Sequence, residues 1–154
     1  MNKLKVTTEV ANEIHLTRTF DAPRRLVIKA MTTPELIKRW LGGVRATVVS
    51  ADVDLRVGGK YRYLFARKRD GEQFAFGGVF REISDERFVQ TEAFEGHPGE
   101  SEVITTWVER EGKTTMNIVI RFESQAVRDM VIKTGMAEGA GESYDQLEAL
   151  VVSL

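Results

Sequence analysis

The chain has 154 residues, with 22 basic and 23 acidic side chains, a net charge of −1, 42% hydrophobic residues and no cysteine. This balance fits one folded domain rather than a disordered chain, and it lacks the net positive field that nucleic-acid binding draws on. Without cysteine there are no disulfides, thiolate metal sites or cysteine nucleophiles, which suits a reducing cytoplasm. No apolar run approaches the ~20 residues needed to span a bilayer, and the start carries no signal-peptide core. The expected organisation is a short flexible N-terminus over 1–11 and a single domain over 12–154 of a cytoplasmic protein.

Ile14, Leu16 and Phe20 alternate with His15, Thr17 and Thr19, which predicts a half-buried strand. Asp21-Ala22-Pro23 stops it and opens a short helix with Leu26, Val27, Ala30 and Met31 as its apolar stripe. Thr32 and Glu35 have capping-box spacing, and Thr33 before Pro34 is an equally good cap for a second short helix carrying Leu36, Ile37 and Trp40. Gly42-Gly43 ends that helix. From Val44 to Phe122 the period is two. Val49, Ala51, Val53 and Leu55 form one face of a strand, followed by Tyr61, Tyr63 and Phe65, then Phe74, Phe76, Gly78 and Phe80. Phe88, Gln90, Glu92 and Phe94 come next, then Val103, Thr105 and Trp107, then Met116, Ile118, Ile120 and Phe122. Gly58-Gly59, Asp70-Gly71 and Glu111-Gly112 are turn signals between them. Ser124 is a helix cap, and Gly135 breaks that helix before a last one. Over Gly135 to about Val152, apolar residues at Met136, Ala140, Tyr144, Leu147, Leu150 and Val151 recur in steps of three and four. Such a rod is roughly 30 Å long, and an antiparallel meander buries its stripe most economically by curling around it. The expected class is α+β, with roughly six or seven antiparallel strands and the helices on one face.

Chemistry-bearing residues are sparse. His15 and His97 sit in separate elements, no metal spacing is present, no serine lies in a nucleophile elbow, and no glycine pair makes a phosphate loop. No cofactor, metal or catalytic residue is therefore assigned. Arg67-Lys68-Arg69 reads as a solvated hairpin tip. Glu92 stands out because it shares strand parity with Phe88 and Phe94, so an inward face would carry a carboxylate into an aromatic interior. The plainer alternative is an edge position open to water. The same faces offer Tyr61, Tyr63, Gln90 and Thr105 as polar groups beside Phe65, Phe76 and Trp107, with Trp40 on the second helix. A mostly apolar space with a few polar anchors is the make-up of small-molecule sites. The last helix adds Met136, Gly139, Ala140 and Ser143. Its glycines either let backbone pack closely on the sheet or leave room for a ligand.

Five stretches together carry a resemblance: T-R-T-F-D-A-P-R-R-L-V (17–27), T-T-P-E-L-I-K-R-W (32–40), D-L-R-V-G-G-K-Y-R-Y (54–63), G-G-V-F-R-E-I (77–83) and G-M-A-E-G-A-G-E-S-Y-D-Q-L-E-A-L (135–150). In order and spacing they resemble the family named after the C-terminal domain of the activator of Hsp90 ATPase, within the START-like, or SRPBCC, superfamily. The resemblance covers roughly residues 14–151. It implies a helix-grip fold, a curved antiparallel sheet around a long C-terminal helix with a cavity between them. It also implies a hydrophobic or lipid-like ligand, with an Hsp90-type chaperone as an alternative partner and cyclase- or hydrolase-like chemistry as a third reading. A monomer or homodimer is expected, with no nucleic acid and no membrane span. Many relatives have tryptophan where this chain has Ala140, which implies a larger cavity here.

Overall fold

Alternation and turn chemistry produce a long antiparallel sheet in the computed structural model, which describes residues 2–154. The strands are β1 (Lys5–Thr7), β2 (Glu13–Phe20), β3 (Ala46–Val53), β4 (Lys60–Arg67), β5 (Gln73–Ile83), β6 (Arg87–Phe94), β7 (Ser101–Arg110) and β8 (Lys113–Arg121). The helices are α1 (Arg24–Thr32), α2 (Pro34–Trp40), α3 (Gln125–Lys133) and α4 (Met136–Val151). The sheet order is β1-β2-β8-β7-β6-β5-β4-β3, and every neighbouring pair is antiparallel. Strands β3 to β8 are a meander, while α1 and α2 carry the chain from β2, beside β8, to β3 at the far edge. At the β7–β8 turn, Glu111 and Gly112 both take positive φ (54° and 75°), as a two-residue hairpin turn of this hand requires.

The architecture is α+β with the helices on the inner face, as expected, but the sheet has eight strands rather than six or seven. The extra one is β1, inside the 1–11 segment expected to be a frayed start, whose first residue lies outside the described residues. All three residues of β1 are exposed, so no hydrophobic alternation announces it; it forms because the edge of β2 offers unpaired backbone groups. A bulge at Val48–Ser50 overturns part of the β3 pattern. It puts Ala46, Val48 and Ala51 inward and turns Val49 outward, while Leu55 is exposed because it lies beyond the end of β3. The Thr32–Glu35 capping box does not form. Thr32 is the last residue of α1 and its hydroxyl donates to the Ile28 carbonyl, while Thr33 occupies the cap of α2 without a side-chain bond. Ser124 does cap α3, accepting from the Val127 amide at 3.2 Å.

Helix α4 closes the core. Ser143, Leu147, Leu150 and Val151 are its buried stripe, and the last three pack into a cluster with Ile14, Phe20, Val27, Trp40, Phe80, Trp107 and Ile118. Ile120 is only partly buried against the same cluster. Gly135, at φ 84°, makes the left-handed bend between α3 and α4. Two buried arginines fasten the ends of this layer. Arg18, on the inner face of β2, donates to Asp145 at 2.6 Å and Glu148 at 3.4 Å of α4. Arg128 of α3 donates to the carbonyls of Thr8, Val10 and Glu13, which ties the β1–β2 connection to the helix.

Candidate functional site

Period two puts Phe88, Gln90, Glu92 and Phe94 on the inner face of β6. The register Gly77↔Ala93 sets Gly78 opposite Glu92, Gly78 pairs with Tyr61, and Glu92 pairs with Ser101. A single cross-strand row thus runs Tyr61–Gly78–Glu92–Ser101. Gly78 is there for close approach: a Cβ would sit 1.9 Å from the Thr91 carbonyl oxygen. With no side chain between them, the Tyr61 ring of β4 spans β5, and its hydroxyl donates to the Thr91 carbonyl of β6 at 2.6 Å. Tyr63 packs on Tyr61 with ring centroids 5.3 Å apart. From the helical side, Tyr144 of α4 stacks on Trp40 of α2 at 6.0 Å, and the Trp40 indole N–H is anchored on the Ala30 carbonyl at 2.9 Å.

Glu92 lies among these rings. Burial pushes its carboxyl up from 4.5 to about 6, and no hydrogen-bond donor offsets that cost. Among the described residues no hydrogen bond reaches its carboxylate, while its backbone carbonyl accepts from the Ser101 hydroxyl at 3.4 Å. Burial also raises the phenols of Tyr61, Tyr63 and Tyr144, and the negative charge of Glu92 raises each of them further. The Gln90 amide beside it partly offsets this at Tyr61. The charge of Glu92 thus reaches all three phenols. Glu92, Tyr63 and Tyr144 are deeply set, yet each stays partly open to water.

The helix supplies the other wall. Gly139, Ser143 and Leu147 lie one above another at spacings of four, and Ser143 and Leu147 are buried. At Gly139, however, a Cβ would meet no atom within 4 Å. The same holds for Gly141, about 200° around the helix from Ser143. Close backbone packing is therefore not what these two glycines provide. It occurs at Gly43 instead, where a Cβ would lie 2.8 Å from the Cβ of Glu142. Met136 and Ala140, beside Gly139, are half-buried.

Not all the candidates meet. Phe65 and Phe76 belong to a second apolar cluster with Ile37, Ala46, Val48 and Ala51 under α2, and Tyr63 bridges the two clusters. Thr105 and Trp107 are buried at the other end of β7, with Trp107 edge-on to Phe88 at 4.9 Å. Trp107 stands six residues from Ser101, which pairs with Glu92, so the two lie roughly 20 Å apart along the strand. Tyr144 is the residue that sequence reasoning placed in the plain apolar stripe. Its signal was a polar-tipped ring one step of four beyond Ala140. The basic hairpin tip is a solvated ion-pair cluster, in which Arg67 binds Asp70 and Glu72.

Two grooves mark the opposite, outer face of the sheet. The larger, about 650 Å³, has Val89, Ile104 and Val119 on its floor and the Arg121–Glu13 and Arg87–Glu82 pairs among its walls. Among the described residues no helix is long and apolar enough to cross a membrane.

The layered arrangement has counterparts among known proteins. The family model described as activator of Hsp90 ATPase homolog 1-like protein matches residues 21–152. The chain belongs to this family. No curated relative matches the sequence. A solved structure from Rhodobacter sphaeroides is similar with a TM-score of 0.92 at 21% identity, covering 99% of each chain. One from Chromobacterium violaceum is 28% identical, with a TM-score of 0.78 over 92% of this chain and 98% of that one. An AHSA1-like protein from Aeromonas hydrophila has a TM-score of 0.67 at 20% identity, over 88% of this chain and 93% of that one. The START-like helix-grip fold expected from the sequence is the fold this family shares with the chain.

Proposed function

We propose that this protein binds an apolar, lipid-like small molecule in the space between α4 and the inner face of β4–β6. The observations that carry the reading are a deep cluster of Glu92, Tyr63 and Tyr144, each still partly open to water, and unfilled space beside Gly139 of α4. An aromatic wall with a few polar groups suits such a ligand: the rings bury its body and the polar atoms fix its orientation. Met136, Gly139, Ala140 and Ser143 would form the helical side, and Trp40, Tyr61, Tyr63, Gln90 and Glu92 the remainder. Phe65 and Phe76 stand at the margin of this space. The enzyme alternative has less support, because the Tyr61 hydroxyl is committed to the Thr91 carbonyl rather than to Glu92. The lack of cysteine favours action in the cytoplasm.

Native mass spectrometry of freshly purified protein should show a co-purified small molecule, and an apolar fluorescent probe should be taken up. Ala140→Trp should abolish probe uptake while leaving thermal stability near wild type, because the ring enters free space. If Ala140→Trp instead overpacks the region and costs roughly 1–3 kcal/mol, and the wild type takes up no probe, the proposal fails. A second reading, a chaperone-binding module, is favoured by the apolar-floored groove on the outer face. Binding of purified Hsp90 that is insensitive to Ala140→Trp but lost on Ile104→Glu would support it.

A further inference from the structure

An ionisable acid in a protein interior ordinarily has a partner: an arginine, a lysine or several donors. Glu92 has none. Arg18 pairs with Asp145 and Glu148, Arg45 with Glu142, Arg62 with Glu95 and Arg87 with Glu82, while Arg81 of β5 lines the groove on the outer face. The Tyr61 hydroxyl is spent on the Thr91 carbonyl. Its neighbours are instead aromatic: Tyr61 stands across Gly78 in the same row, and the charge of Glu92 acts on Tyr61, on Tyr63 packed against it and on Tyr144, which stacks on Trp40. Ring faces carry partial negative charge, so they do not compensate an anion; together with it they make a host for a cation.

We infer that the head group taken by this site is an organic cation, an ammonium or quaternary ammonium joined to an apolar body, with Glu92 as its counter-ion and the rings of Tyr63, Tyr144 and Trp40 as its walls. This rests on the reading that the space between α4 and the sheet holds a ligand. An ammonium would supply the charge that no arginine of the chain brings to Glu92, and the apolar body would fill the space beside Gly139. A carboxylate or phosphate head would meet Glu92 and the ring faces with like sign and be rejected.

Three probes of equal chain length separate the possibilities: decyltrimethylammonium, decanol and decanoate, each titrated below its aggregation concentration and followed by calorimetry. The wild type should bind the cation at least roughly tenfold more tightly than decanol, and decanoate most weakly. Glu92→Gln keeps the shape of the side chain and should bring the cation down to the affinity of decanol, with folding checked independently by a urea melt near pH 4, where variant and wild type should agree. The groups facing Glu92 are Tyr61 and Tyr63 of β4, Gln90 of its own strand and Tyr144 of α4. All three phenols are pushed up and stay neutral, so affinity for the permanently charged probe should rise with pH through about 6 as Glu92 ionises. Equal or tighter binding of decanol or decanoate, or a cation preference that survives Glu92→Gln, would overturn the inference and leave the apolar-ligand reading standing. Binding of none of the three would remove both.

Discussion

At the scale of single residues, Glu92 is where stability and site chemistry conflict. Its carboxyl is raised from 4.5 to about 6 by burial, so the folded protein holds this proton more tightly than the unfolded chain does. Stability is therefore fullest below pH 4.5 and is lost as pH rises through about 6. A shift of this size is worth about 2 kcal/mol. Urea melts of wild type and Glu92→Gln should agree near pH 4, with the variant more stable by up to about 2 kcal/mol at pH 8. Equal stability at both pH values would mean that the carboxylate is solvated or paired. The glycines near α4 divide in the same physical terms. Gly139→Ala adds a methyl into open space and removes unfolded-state entropy, so it should stabilise by up to about 1 kcal/mol. Gly43→Ala must instead hold φ +61° and press on Glu142, so it should destabilise by about 1 kcal/mol or more. Thermal melts of the pair check both signs.

At the scale of elements, α4 is held by its stripe. Leu147 is fully buried in the central cluster, and Leu147→Ala should cost about 2–5 kcal/mol through lost burial and the cavity left behind. A smaller loss in denaturant melts would mean that the helix repacks. This stripe was readable because apolar residues at steps of three and four have few other solutions than one buried helix face. The strands were readable for the analogous reason, except where the ladder slips. The bulge at Val48–Ser50 turns Val49 outward, and nothing in an alternating apolar run marks where an extra residue is absorbed. β1 was hidden because pairing with an exposed edge needs backbone groups, not side chains.

At the scale of the whole molecule, Arg128 links parts of the chain far apart in sequence. Its guanidinium serves three carbonyls of the β1–β2 segment from α3 and is almost wholly buried. Arg128→Met keeps the bulk but leaves those carbonyls without their donor, and should cost roughly 3 kcal/mol, with faster amide exchange confined first to residues 5–13. Unchanged exchange there would show that water replaces the guanidinium at no cost.

The sequence by itself determined which side of each element a residue faces, because strand and helix periods are local properties of the chain. From that came the antiparallel meander, the buried stripe of α4 and the inward parity of Glu92 with Phe88 and Phe94. The tertiary structure alone decided what those inward groups meet. Gly78 stands between Tyr61 and Glu92 only through the registers of β4–β5 and β5–β6, and Tyr144 comes within reach of the Glu92 charge only because α4 packs on α1, α2 and β2. Trp107 and Thr105 share the parity of the site but lie toward the other end of their strand. Parity sorts residues between two faces, whereas position along and across a sheet is fixed by pairing between segments distant in sequence, where no local period reaches.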